Sequence, residues 1–136
     1  MFKYIFLCSI IVAAATGLGI NCRGSFYCWR GADIQNIKSY MDGLIDNNRD
    51  YNSGENIVCY RASEEETIQS GFCLFLQNTK SPVKGGRIFD LLNHLIDHGC
   101  KGCGSVPIDF PESNDPGNGI LTMNYVGGTG ACIGLC

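Results

Sequence analysis

The chain has 136 residues, a formal net charge of −3 from ten Lys and Arg against thirteen Asp and Glu, and 45% hydrophobic residues. That length suits one domain, and the acidic balance makes the protein a poor candidate for binding nucleic acid or an anionic membrane. Nine cysteines in so short a sequence point instead to an oxidising compartment.

The first stretch carries Lys3 as a small positive region, an apolar run over residues 5–15, and the small residues Ala13, Ala14 and Ala15. This is the pattern of a secretory signal peptide, too short to span a bilayer, with cleavage after Ala15 or Gly17. The expectation is therefore a signal peptide over residues 1–17, one domain over 18–136, and an extracellular product. Cleavage would take away Cys8 and leave an even set: Cys22, Cys28, Cys59, Cys73, Cys100, Cys103, Cys132 and Cys136. Eight thiols in a secreted chain read as a disulfide framework with 105 possible connectivities. It would also leave nine basic against thirteen acidic residues, a net of −4. Asn-x-Ser/Thr does not occur, so glycosylation at asparagine is not expected.

In chain order, residues 18–21 read as a short strand running into Cys22, and Arg23-Gly24-Ser25 as a turn. Ile34, Ile37, Met41, Leu44 and Ile45 lie at helical spacing, with Asp33 placed to cap the first helix and the end expected near Ile45 or Asp46. Residues 46–56 are polar and rich in Asn, Asp and Gly, hence a loop. Residues 57–60 and 72–76 are strand candidates. Between them, Glu64, Glu65 and Glu66 read as a solvated face or loop rather than a carboxylate active site, because no second acid cluster supports one. Ser81-Pro82 and Gly85-Gly86 suggest a loop. Ile88, Leu91, Leu92, Leu95 and Ile96 then mark the stripe of a second helix that Gly99 stops in a left-handed C-cap. Residues 107–119 form a turn-rich loop, residues 120–126 alternate as a last strand, and the tail is glycine-rich. Two helices covering one face of a mostly antiparallel sheet of about four to five strands make an α+β fold.

The chemistry-bearing candidates are few. His94, His98, Cys100 and Cys103 have the spacing of a zinc constellation, but six further thiols in a secreted chain favour oxidation of the cysteines. A redox dithiol belongs at a helix N-terminus, where the dipole lowers its pKa, whereas Cys100 and Cys103 follow a helix end. Gly-x-Ser-x-Gly does not occur, and residues 127–130 lack the following helix that a phosphate cradle needs. The sequence gives no reason to expect an enzyme, a metal or a cofactor.

Three stretches carry a resemblance. Leu18-Gly19-Ile20-Asn21-Cys22-Arg23-Gly24-Ser25, the run from Leu91 to Ser105 with its His-Gly-Cys-Lys-Gly-Cys-Gly-Ser ending, and Leu121-Thr122-Met123-Asn124-Tyr125-Val126 are similar to the secreted killer toxins typified by the virally encoded killer protein four of smut fungi. The resemblance implies a disulfide-held α/β sandwich, acting as a monomer on competing or host cells. The founding toxin blocks calcium uptake through voltage-gated channels, which implies a membrane-protein target such as a cation channel. It also implies that Cys22 and Cys28 pair with Cys100 and Cys103.

Three departures accompany it. The founding toxin has further cysteines, two of them in the 46–56 loop and one at Phe89, while Cys136 is an addition here. The toxin is basic and this chain is acidic. The toxin's activity-linked lysine aligns with Ile57, so that role does not carry over, and Arg61 is the nearest cation on the other side of Cys59. A protein that keeps the fold and binds a wall polymer or host protein without blocking a channel is the alternative.

Overall fold

The structure, a computed structural model, describes residues 19–63 and 69–136. The signal-peptide expectation, Cys8 and the run Glu64–Glu66 lie outside the described residues. An all-antiparallel five-stranded sheet forms the centre, in the order β5 (Gly104–Pro107), β6 (Ile120–Val126), β3 (Gly71–Gln77), β2 (Asn56–Arg61) and β7 (Gly134–Leu135). Two helices, α1 (Ile34–Met41) and α2 (Gly85–Asp97), pack on one face, and a small ribbon of β1 (Asp50–Tyr51) and β4 (Val83–Lys84) lies beside them.

The period-2 rule sorts the two sheet faces. Phe72, Leu74 and Leu76 of β3 oppose Tyr125, Met123 and Leu121 of β6. Together with Val106 of β5 they meet Ile34, Ile37 and Met41 of α1 and Ile88, Leu91, Leu92 and Leu95 of α2 in one core. The intervening Cys73 and Phe75 turn to the other face, where Cys59, Val126 and Cys132 join them in a smaller cluster. One irregularity matters below. Asn56 faces Phe75 and Val58 faces Leu74, so Ile57 is the extra residue of a β-bulge. The bulge breaks the alternation and lets both Ile57 and Val58 enter the main core.

Asp33 caps α1 as expected, its carboxylate accepting the Gln35 N–H at 2.8 Å. The helix is shorter than its apolar spacing predicts. Asp42 is already extended, Gly43 takes φ of +71°, and Leu44 is left exposed. The second helix begins earlier than expected, at the double glycine read as loop. Gly85 N–H donates to the Arg49 carbonyl and Gly86 N–H to the Asn47 carbonyl, so the 46–49 turn satisfies the first helical donors. That approach is so close that a Cβ on Gly85 would sit 2.2 Å from the Asp46 carbonyl oxygen. The helix ends as expected, with Gly99 at φ of +95°.

Four short strands were not anticipated. β1 and β4 lie in regions read as loops, β5 directly follows the second helix, and β7 lies in the glycine-rich tail. The strand expected over 18–21 is, among the described residues, a single bridge from Asn21 to Ser105 on β5.

Candidate functional site

The eight cysteines of the described residues form four disulfides. Cys22–Cys100 and Cys28–Cys103 bridge 78 and 75 residues, Cys59–Cys73 bridges 14, and Cys132–Cys136 bridges 4. The first two tie the start of the described chain to the hook after α2 and create an apex. Gly24 is wedged inside it: a Cβ there would lie 2.5 Å from the Cys103 Cβ and 2.8 Å from the Cys28 sulfur. Asn124 of β6 reaches up from the sheet, its Oδ1 accepting the Ser25 N–H at 2.9 Å. On the other side the Lys101 carbonyl accepts the Ile34 N–H at 2.9 Å, so the hook also holds the first turn of α1. The apex is thus fastened to both the sheet and a helix.

Its outer surface is a single 3-10 turn, Phe26–Trp29, opened by Ser25, whose hydroxyl accepts the Tyr27 N–H. Phe26, Tyr27 and Trp29 are 68%, 54% and 88% exposed. Tyr27 leans on Tyr125 with ring centroids 4.6 Å apart, and the Arg30 guanidinium lies 5.4 Å over the Phe26 ring. These aromatics were not singled out in the sequence. Three rings in four residues between Arg23 and Arg30 are a visible composition signal, but no periodicity distinguishes them from a buried strand.

The zinc alternative does not assemble. Cys100 and Cys103 belong to two different disulfides, the His94 ring packs edge-on against Phe110 at 5.0 Å, and His98 is exposed. Among the described residues no group of three His, Cys, Asp or Glu is placed to hold a metal ion.

Ile57 and Arg61 stand at opposite ends of β2. Ile57 is fully buried in the bulge, its carbonyl accepting the Cys136 N–H at 2.8 Å. Arg61 is exposed, on the rim of a shallow depression lined by Tyr40, Tyr60, Ser63 and Ile133. The Tyr60 hydroxyl beneath it accepts the Asp33 N–H and donates to the Gly31 carbonyl at 2.9 Å. Burial pushes its phenol up to about 12, and the neutral hydroxyl ties β2 to the α1 cap through these two bonds.

Helices on one face of a disulfide-stapled antiparallel sheet, with a double-bridged apex, define a small disulfide-held α+β domain. The Kp4 family profile matches residues 5–127, and the chain belongs to that family. It is 29% identical over 109 residues to the KP4 killer toxin of Ustilago maydis P4 virus, which covers 80% of each chain. Among the described residues no helix is long and apolar enough to cross a membrane.

Proposed function

We propose that this protein is a secreted killer-toxin-like effector that inhibits competing or host cells by occupying a cation channel from outside, without enzymatic chemistry. Family membership carries the reading. Four disulfides suit an extracellular life, since such bonds persist in oxidising compartments. A fold held this rigidly loses little conformational entropy on docking. Arg61 is the candidate cation on β2, standing exposed beyond Cys59.

A second reading has a specific observation behind it. The position aligned with the activity-linked lysine is Ile57, an uncharged side chain buried in the bulge that offers nothing cationic to a channel mouth. An extracellular binding protein that kept the fold and lost channel block accounts for that residue and for the acidic balance. The two are separated by applying the purified, oxidised protein to fungal cells and plant roots with and without millimolar calcium. Growth inhibition relieved by calcium and weakened by Arg61→Gln supports channel block. Folded protein that inhibits nothing supports the binding reading.

A further inference from the structure

From the geometry of the apex we infer that the turn Phe26–Trp29 is a membrane-interface anchor, seating its rings among the headgroups and upper chains of a phospholipid bilayer. The inference is independent of the channel reading. Soluble domains bury large aromatics, so a run of Phe26, Tyr27 and Trp29 at 68%, 54% and 88% exposure calls for an occupant. Aromatic residues with a polar handle are the residues that settle at a membrane–water interface.

Charge selects the same partner. The two apex segments, residues 21–32 and 98–108, contain Arg23, Arg30 and Lys101 and no acidic residue, although Asp33, Asp97 and Asp109 border them. Setting those three cations aside, the remaining chain has seven Lys and Arg against thirteen Asp and Glu. The net charge that argues against an anionic surface therefore describes the rest of the molecule. It would turn the apex toward lipid phosphates and the acidic remainder away from them. Arg23, Arg30 and Lys101 are all exposed, as phosphate contacts require.

Rigidity and shape favour lipid over a protein groove. Cys28 lies inside the turn and is bridged to Cys103, so inserting the rings orders no loose loop. Trp, Tyr and Arg are also the residues of protein hot spots, but those sit inside a contact area of about 800 Å² on each partner. A projecting four-residue turn supplies only a small part of that, whereas an interface accepts a tip.

Trp29 is the sole tryptophan of the chain, so its fluorescence reports on this turn alone. Oxidised protein is titrated with vesicles of phosphatidylcholine, and of phosphatidylcholine mixed with phosphatidylglycerol. The expected result is a blue shift of Trp29 emission with co-sedimentation, stronger with phosphatidylglycerol at low salt. Phe26→Ser keeps the reporter and should weaken partitioning by about tenfold, the scale of one lost aromatic burial. Neutralising Arg23, Arg30 and Lys101 to Gln should abolish the preference for phosphatidylglycerol. Unmoved emission without sedimentation overturns the inference. So does binding that Phe26→Ser leaves intact, or binding confined to cell membranes and removed by prior protease treatment of them, which would mark a protein partner.

Discussion

The apex and the far face of the sheet each hold two disulfides, yet the bonds do different work. At the apex the bridges join segments more than seventy residues apart and leave Cys22 exposed and aromatic rings projecting outward. On the far face Cys59–Cys73 links directly opposed residues of β2 and β3, and Cys132–Cys136 closes a short ring in the tail, with Cys59, Cys73 and Cys132 buried. Chain-entropy arguments rank bridges by the loop each one closes, but neighbouring bridges share a loop. Once Cys22–Cys100 is made, Cys28–Cys103 closes only the small ring between two segments already joined. Either apex bridge is therefore partly redundant, and the pair is not.

The largest effect follows from that redundancy. Replacing one apex pair by serine should cost about 3 kcal/mol, and replacing both about 7 kcal/mol, more than twice the single loss. Denaturant unfolding of the two double-serine proteins and their combination checks it; strict additivity would show that the bridges act independently. Replacing Cys59 and Cys73 by alanine should cost about 3 kcal/mol from its own loop, with the cavity left behind adding to the loss. Opening Cys132–Cys136 should cost about 2 kcal/mol at most, since its loop is the shortest. Asp33→Ala, which removes the α1 cap beside the hook, should cost about 1 kcal/mol in the same assay.

The last effect concerns pH. Burial raises the Tyr60 phenol to about 12 from an unfolded value near 10, so the folded state favours the neutral form. That contribution is complete below pH 10 and is lost as pH climbs toward 12. Tyr51 is raised too, also first by burial, and adds the same sign. Stability measured across that window should fall in the wild type and fall less in Tyr60→Phe; equal slopes would place the alkaline loss elsewhere.

Much of the fold was legible where one physical signal dominated. The α2 stripe from Ile88 to Ile96, its Gly99 stop and the alternation over 120–126 each follow from period and cap chemistry, and the Asp33 cap from side-chain geometry. The start of α2 was not legible. Its glycines read as breakers, and only the 46–49 carbonyls that receive their N–H groups turn them into a helix start. The two-residue strands β1, β4 and β7 are too short to show alternation, and they form because a neighbour presents open backbone groups. Ile57 followed by Val58, both facing the core, contradicts a period of two, and only the bulge explains it. The site was less legible still. Buried and exposed rings are identical as letters, so the projection of Phe26, Tyr27 and Trp29 depends on the two bridges beneath them.

Disulfides also shut the sheet. Its outer strands, β5 and β7, are four and two residues long. Beyond β5, Asn21 exchanges backbone hydrogen bonds with Ser105 at 2.9 Å in each direction and is held there by the adjacent Cys22–Cys100 bridge. At the other margin the Cys132–Cys136 ring holds β7 against Val58 and Cys59. Each border of the sheet is closed by a tethered piece of its own chain, so strands of a second copy find little free backbone to pair with. Oxidation therefore guards against fibrous self-association as well as unfolding, and a reducing environment would release both guards together.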